Sequence, residues 1–247
     1  MGKSFGSCKG LDKMFVSPFS THHDWKVGWK RERGMPRDID IPRTYYPVLY
    51  AVATIGCAGS VQLKNLFGLY NKKKLKSLAG SYLLLKHELF QGDKLIPVYT
   101  LGSNGVREFH LPHNYWLNWQ AEDVLKRLVF FKLYEVFWDY EPNIVPSPEP
   151  FVGALQIGHK LYHVFVARDD VYDLLLYMKW NQNPDQRIII VTEKLEHLSS
   201  LNPFLNGVKI RVTTDEDLIN EESIDQMFYE WDAGDNVWVK NESIYQK

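Results

Sequence analysis

From Thr44 onward the apolar residues recur at helical spacing and then change to strand-like runs. Thr44 caps a predicted helix that takes Pro47 into its first turn, places Leu49, Val52, Ala53 and Ile55 on one face, and stops at Gly56. Ser60 caps a short second helix built on Leu63, Leu66 and Phe67, which ends at Gly68. Asn71 caps a third, with Leu75, Leu78, Ala79, Tyr82 and Leu85 along its apolar side. The opposite side carries Lys72, Lys73, Lys76, Ser77, Gly80 and Ser81, with Lys74 at its edge. Residues 88–90 and 94–100 then predict two strands around Gln91, Gly92 and Asp93, and Pro97 assigns the second to a sheet edge. Three helices and a hairpin joined by short connections predict a winged helix-turn-helix over residues 42–112.

The rest of the chain alternates helix-like and strand-like patterns. Residues 114–134 predict a long helix on Leu117, Ala121, Val124, Leu125, Leu128 and Phe131, and residues 135–140 a strand. A loop marked by Pro142, Pro146, Pro148 and Pro150 leads to paired strands at 151–157 and 161–167, a helix at 169–180, and the continuously apolar strand 187–191. A further strand at 208–212 precedes an acidic segment that predicts a helix from Asp215 and a hairpin around Gly234. The expected class is α+β: a basic arm at 1–41, the winged helix at 42–112, an α/β domain with a mixed sheet at 113–214, and an acidic extension at 215–247.

Charge adds a polarity that the periodicity does not show. Residues 1–110 hold 17 Lys and Arg against 8 Asp and Glu, whereas the remainder holds 12 against 22, although the whole chain carries only −1. A basic half joined to an acidic half suggests a nucleic-acid-binding part coupled to a part with another task. The 2 cysteines, Cys8 and Cys57, show no metal-type spacing and fit a reducing compartment. The first 16 residues lack the apolar core of a signal peptide, and Gly6 stands where a myristoylation signal needs Ser or Thr. No apolar run reaches the roughly 20 residues needed to span a bilayer. The expected location is the cytoplasm, without membrane contact.

Chemistry follows from where the cations fall. A helix fits the major groove of double-stranded DNA, and lysines on its outer side gain free energy by displacing condensed counterions. Lys72, Lys73, Lys74 and Lys76 are therefore the expected phosphate contacts, with Lys76, Ser77 and Ser81 the candidates for reading base edges and Lys94 for a wing contact. Gln62 on the second helix, and Lys30, Arg31 and Arg33 in the arm, complete the DNA-binding candidates. In that arm Trp25 and Trp29 alternate with cations, as in surfaces that stack on bases, but both indoles could equally pack on the following domain. No phosphate loop, dinucleotide fingerprint or nucleophile elbow occurs. His22, His23 and Asp24 form one tight group of metal-ligand types, and Glu193, Glu196 and His197 another; both read more simply as solvated side chains. No cofactor and no enzymatic activity are expected.

The stretch "LYAVATIGCAGSVQLKNLFGL", followed by "NKKKLKSLAGSYLLLKHEL" and "IPVYTLGSNG", resembles the winged-helix region of the plasmid replication-relaxation family. The likeness rests on the Gly56 turn, Gln62, Leu63, residues 66–69, the basic third helix, and Tyr99, Leu101 and Gly105. It implies a DNA-binding accessory protein of a mobile element, with a relaxase, a replication protein or a second copy of the chain as partner. It also implies a restriction-endonuclease-like C-terminal half, which in active form needs carboxylates on its second and third strands to hold Mg²⁺. Here Phe151 follows Pro150, and residues 166–168 are Val, Ala and Arg, so that site looks dismantled. The alternatives are a metal-dependent nuclease using Asp139, Glu141, Asp169 and Asp170, a winged-helix transcription regulator, and a winged helix that binds protein.

Overall fold

A computed structural model describes residues 15–32, 39–181, 183, 185–220 and 223–240. Strand β1 (Lys26–Gly28) comes first, followed by helix α1 (Tyr46–Ile55), strand β2 (Ala58–Gly59) and helices α2 (Ser60–Phe67) and α3 (Lys72–Gly80). The hairpin β3 (Leu84–Gln91) and β4 (Lys94–Leu101) follows, then helix α4 (Ser103–Glu108). These strands form one sheet in the order β1-β3-β4-β2, all antiparallel.

Helix ends here follow from local chemistry. Gly56 has φ +102°, and a Cβ on it would lie 2.2 Å from the Trp119 ring, so both the backbone and the packing require glycine. Gln62 Oε1 accepts from the Gly59 amide at 2.8 Å and satisfies a donor at the start of α2. The Asn71 side chain accepts from the Lys73 amide at 2.8 Å and starts α3. That helix ends at Gly80, and Tyr82 takes φ +58° where the chain reverses into β3. The predicted third helix is thus too long: Leu85 lies in a strand that begins four residues earlier than expected. Pro97 is not on an edge strand, because β4 is flanked by β3 and β2; it falls just outside the two residues, Val98 and Tyr99, that β2 covers.

The second sheet begins after helix α5 (Ala121–Val136). It comprises β5 (Asn143–Val145), β6 (Gly153–Ile157), β7 (Lys160–Val166), β8 (Arg187–Thr192), β9 (Lys209–Thr214), β10 (Tyr229–Asp232) and β11 (Val237–Lys240), hydrogen-bonded in sequence order. Helix α6 (Tyr172–Trp180) crosses from β7 to β8, and α7 (Asp215–Ile219) follows β9 directly. Strands β5 to β7 are antiparallel, β7 to β9 parallel, and β9 to β11 antiparallel. The chain is α+β.

Several expectations change. The long helix starts at Ala121 rather than 114, and residues 135–140 finish it and form a 3₁₀ turn instead of a strand. The first strand of the sheet, β5, lies inside the predicted proline-rich loop. The arm is not free of structure, since β1 adds to the first sheet. The acidic segment supplies α7, β10 and β11, and Leu218, Met227 and Phe228 are fully buried. One apolar core runs through both sheets, from Leu49, Leu63 and Leu84 through Phe130 and Phe131 on α5 to Val164, Ile189 and Phe228.

Candidate nucleic-acid interface

Helix α3 buries Leu78 and half-buries Leu75, which rotates the remaining positions outward. Lys72, Lys73, Lys74, Lys76 and Ser77 are all exposed. Among the described residues none of these four lysines has a carboxylate within ion-pair distance. Three of them occupy the first turn, where the helix macrodipole is positive and no acidic residue is present. Each such cation disfavours the helix by about 0.3–1 kcal/mol at low salt. The surface is therefore cationic at the expense of the helix that carries it. A Cβ built on Gly80 meets nothing within 4 Å, so the surface at the C-terminal end of α3 is open. Ser81, by contrast, lies past the helix end, is half-buried, and donates its hydroxyl to the Leu78 carbonyl.

The hairpin extends beside this helix. Lys94 is exposed next to the Gly92 turn, where φ is +52°. Lys26, Phe90 and Leu95 sit in register across β1, β3 and β4, and Phe90 and Leu95 are exposed. This solvent-facing row of one cation and two apolar side chains was not identified from sequence, because β1 is legible only through its pairing with β3. Lys30 and Lys86 approach a single carboxylate, Glu88, at 3.7 and 3.4 Å, so they retain only part of their joint charge. Arg31 is exposed, and Arg33 lies outside the described residues.

Two groups of candidates are spent inside the fold. The Gln62 amide accepts from Gly59 and donates to the Leu128 carbonyl at 2.6 Å, which locks α2 to α5 and removes Gln62 from any DNA surface. Trp25 is buried against Leu89, Val98 and the α5 residues Val124 and Leu125. Trp29 donates its indole N–H to the Trp119 carbonyl and stands edge-on to His87 at 4.8 Å. The two indoles thus take the packing alternative rather than base stacking. His87 itself accepts from the Lys30 amide on Nδ1 at 3.0 Å, so the ring proton is on Nε2 and is shared with Thr100 Oγ1 at 2.8 Å. Burial, reinforced by the Lys30 charge, pushes its pKa down to about 3 and keeps it neutral.

No family model, curated protein or solved structure matches the chain.

The suspected metal groups do not gather. His22 faces Asp169 at 3.4 Å while His23 turns to the Ser17 carbonyl at 2.8 Å, and Asp169 also accepts from Thr21. Asp139 sits in the 3₁₀ turn before β5 and Glu141 just after it, whereas Asp169 and Asp170 follow β7. Among the described residues no three His, Cys, Asp or Glu side chains converge as metal ligands.

Glu193 belongs instead to a buried ionic centre at the C-terminal ends of the parallel strands. There Arg168 is fully buried, bonds Asp215 at 3.2 Å and the Ala167 carbonyl at 2.8 Å, and faces Glu193 at 3.9 Å. Ser17 donates its hydroxyl to the same Asp215, whose carboxyl burial pushes above the usual range while Arg168 and Ser17 pull it back. Sequence reasoning noted Arg168 only among the residues that stand where a nuclease-like strand needs an acid; its role depends on strand register, which brings residues 168, 193 and 215 together.

Proposed function

We propose that this chain is a DNA-binding accessory protein whose residues 42–112 act as a winged helix, with α3 lying in the major groove and the β3–β4 hairpin beside it on the backbone. One observation carries the reading: α3 exposes four lysines that no carboxylate among the described residues neutralises, three of them at the end where the helix least tolerates them. Two features support it. Strand β2, between α1 and α2, pairs with β4, so the three helices and the hairpin form one unit. The turn of the hairpin carries an exposed lysine next to exposed Phe90 and Leu95.

Lysines recognise phosphate as point charges and discriminate bases poorly, so affinity is mainly electrostatic, with Lys76 and Ser77 the base-facing groups. The sequence resemblance to the plasmid replication-relaxation family supports a role in replication or in DNA relaxation and transfer of a mobile element. The C-terminal half then serves binding to a relaxase, a replication protein or a second copy rather than cleavage. That part of the reading is supported by β6 and β7, where helix, three strands, helix and strand follow the nuclease order but neither strand carries a carboxylate.

A salt titration of duplex binding tests the proposal. Replacing Lys72, Lys73, Lys74 and Lys76 by Ala should weaken binding and reduce the log–log salt slope by about 0.9 for each phosphate that is no longer neutralised. Unchanged affinity and slope would remove α3 from the interface.

A further inference from the structure

Helix α6 has two apolar sides, and the fold covers one of them. Leu174 and Met178 are buried with Phe165, Ile188 and Ile190 of the second sheet. Tyr172, Leu176 and Trp180 recur every four residues on the opposite side. Leu176 is half-buried, whereas Tyr172 is 62% exposed and Trp180, at 76%, is the most exposed large apolar side chain among the described residues. Single apolar side chains on a surface need no explanation, but a continuous stripe of three marks a contact.

The charges on this side share a symmetry with the rings. Asp173 stands three residues before Leu176 and Lys179 three after it; both are exposed, and neither has an opposite charge within ion-pair distance among the described residues. Around Leu176 the surface therefore reads aromatic, acid, leucine, base, aromatic. At 3.6 residues per turn the rings lie about 40° and the charges about 60° to either side of Leu176. Such a pattern maps onto itself when the helix is turned end for end. A two-fold axis beside Leu176 sets two copies of α6 antiparallel, with Tyr172 of each level with the partner's Trp180 and Asp173 level with the partner's Lys179. A parallel arrangement would instead set Asp173 level with the partner's Asp173. Asp173 and Lys179 also suit the dipole at the ends of α6 that carry them, but that local reason does not extend to the exposed rings.

A cavity of about 590 Å³ adjoins the stripe, lined by Asp173, Leu176, Tyr177 and Trp180 and, across from them, by Lys126 and Glu149. It gives the partner's indole a place to enter beside Asp173.

We infer that two copies of this chain associate through α6, antiparallel about a two-fold axis at Leu176. Of the partners open to the C-terminal half, this surface fits the second copy. The association itself is independent of α3; only its consequence, two α3 helices presented to a palindromic duplex, rests on the DNA-binding reading. A contact centred on one nine-residue helix belongs with interfaces of less than about 1,200 Å², which are weak and reversible.

Sedimentation velocity of the full chain without DNA, from about 1 to about 100 µM, tests it. The unaltered chain should pass from monomer to dimer across that range. Trp180→Asp, at a solvent-exposed position, should weaken the dimer about tenfold or more. Asp173→Lys and Lys179→Asp should each weaken it about threefold or more, because each sets like charges level in two symmetric pairs. The double variant exchanges the two charges and should recover most of the affinity, an outcome that a general effect on folding does not produce. The α3 quadruple alanine variant should dimerise as the unaltered chain does, which separates this contact from the duplex interface. A chain that stays monomeric at the highest concentration, a dimer indifferent to Trp180→Asp, a double variant as weak as the single ones, or a dimer lost with the α3 lysines would overturn the inference.

Discussion

On α3, four ammonium groups stand in solvent with no carboxylate of the described residues near them, whereas at the C-terminal ends of β7, β8 and β9 a single guanidinium is sealed between Asp215 and Glu193. The charge is the same and the surroundings are opposite. Removing a buried charge from water costs several kcal/mol, which close carboxylates and hydrogen bonds must offset; an exposed lysine bears no such cost and contributes almost nothing to folding. Formal charge along a sequence therefore identifies neither role. Burial and pairing do, and both are set by strand register.

The greatest effect is expected from removing the guanidinium. Arg168→Ala leaves Asp215 and Glu193 buried without their cation and should lower unfolding free energy by about 3–5 kcal/mol in a denaturant titration. A drop below about 1 kcal/mol would show that water replaces the side chain and would erase the distinction from α3. Next in size is Gly56→Ala, which places a methyl group against the Trp119 ring in an unfavourable backbone region; a decrease of about 1–3 kcal/mol is expected from the same measurement.

The third test uses pH. His87 titrates at about 3 when folded, well below its unfolded value of about 6.5, so its contribution is complete above pH 6.5 and is lost as pH falls toward 3. Stability should drop by about 1.4 kcal/mol per pH unit across that window from this residue alone, and His87→Gln should flatten that part of the profile. Smallest of all, Lys73→Ala should stabilise the fold by no more than about 1 kcal/mol, by removing a cation from the positive end of α3, while still weakening duplex binding. A loss of stability of more than about 0.5 kcal/mol would place Lys73 in the fold rather than on an interface.

Much of the N-terminal module was legible because its signals are local. Gly56, Gly68 and Asn71 mark helix ends through their own backbone preferences, and the Gly92 turn fixes the hairpin register. The apolar runs that give β6, β7 and β8 were equally readable, as was the crossover helix between β7 and β8. What escaped is non-local. Strands β1 and β2 contain three and two residues, too few for a period, and exist because β3 and β4 offer open edges. Gln62 has the composition of a surface residue and is diverted inward by a carbonyl 66 positions away. The Arg168 centre likewise requires knowing which strands are neighbours.

The hydrogen bond between Ser17 and Asp215 links residues 198 positions apart. On the ribosome, at about 5–20 residues per second, the serine emerges some ten seconds or more before its acceptor. During that interval β1 can dock on β3, but the loop that closes against Arg168 and Asp215 cannot form. The seam that joins arm to sheet can therefore close only after β9 has emerged, long after β1 and β3 are both available to pair.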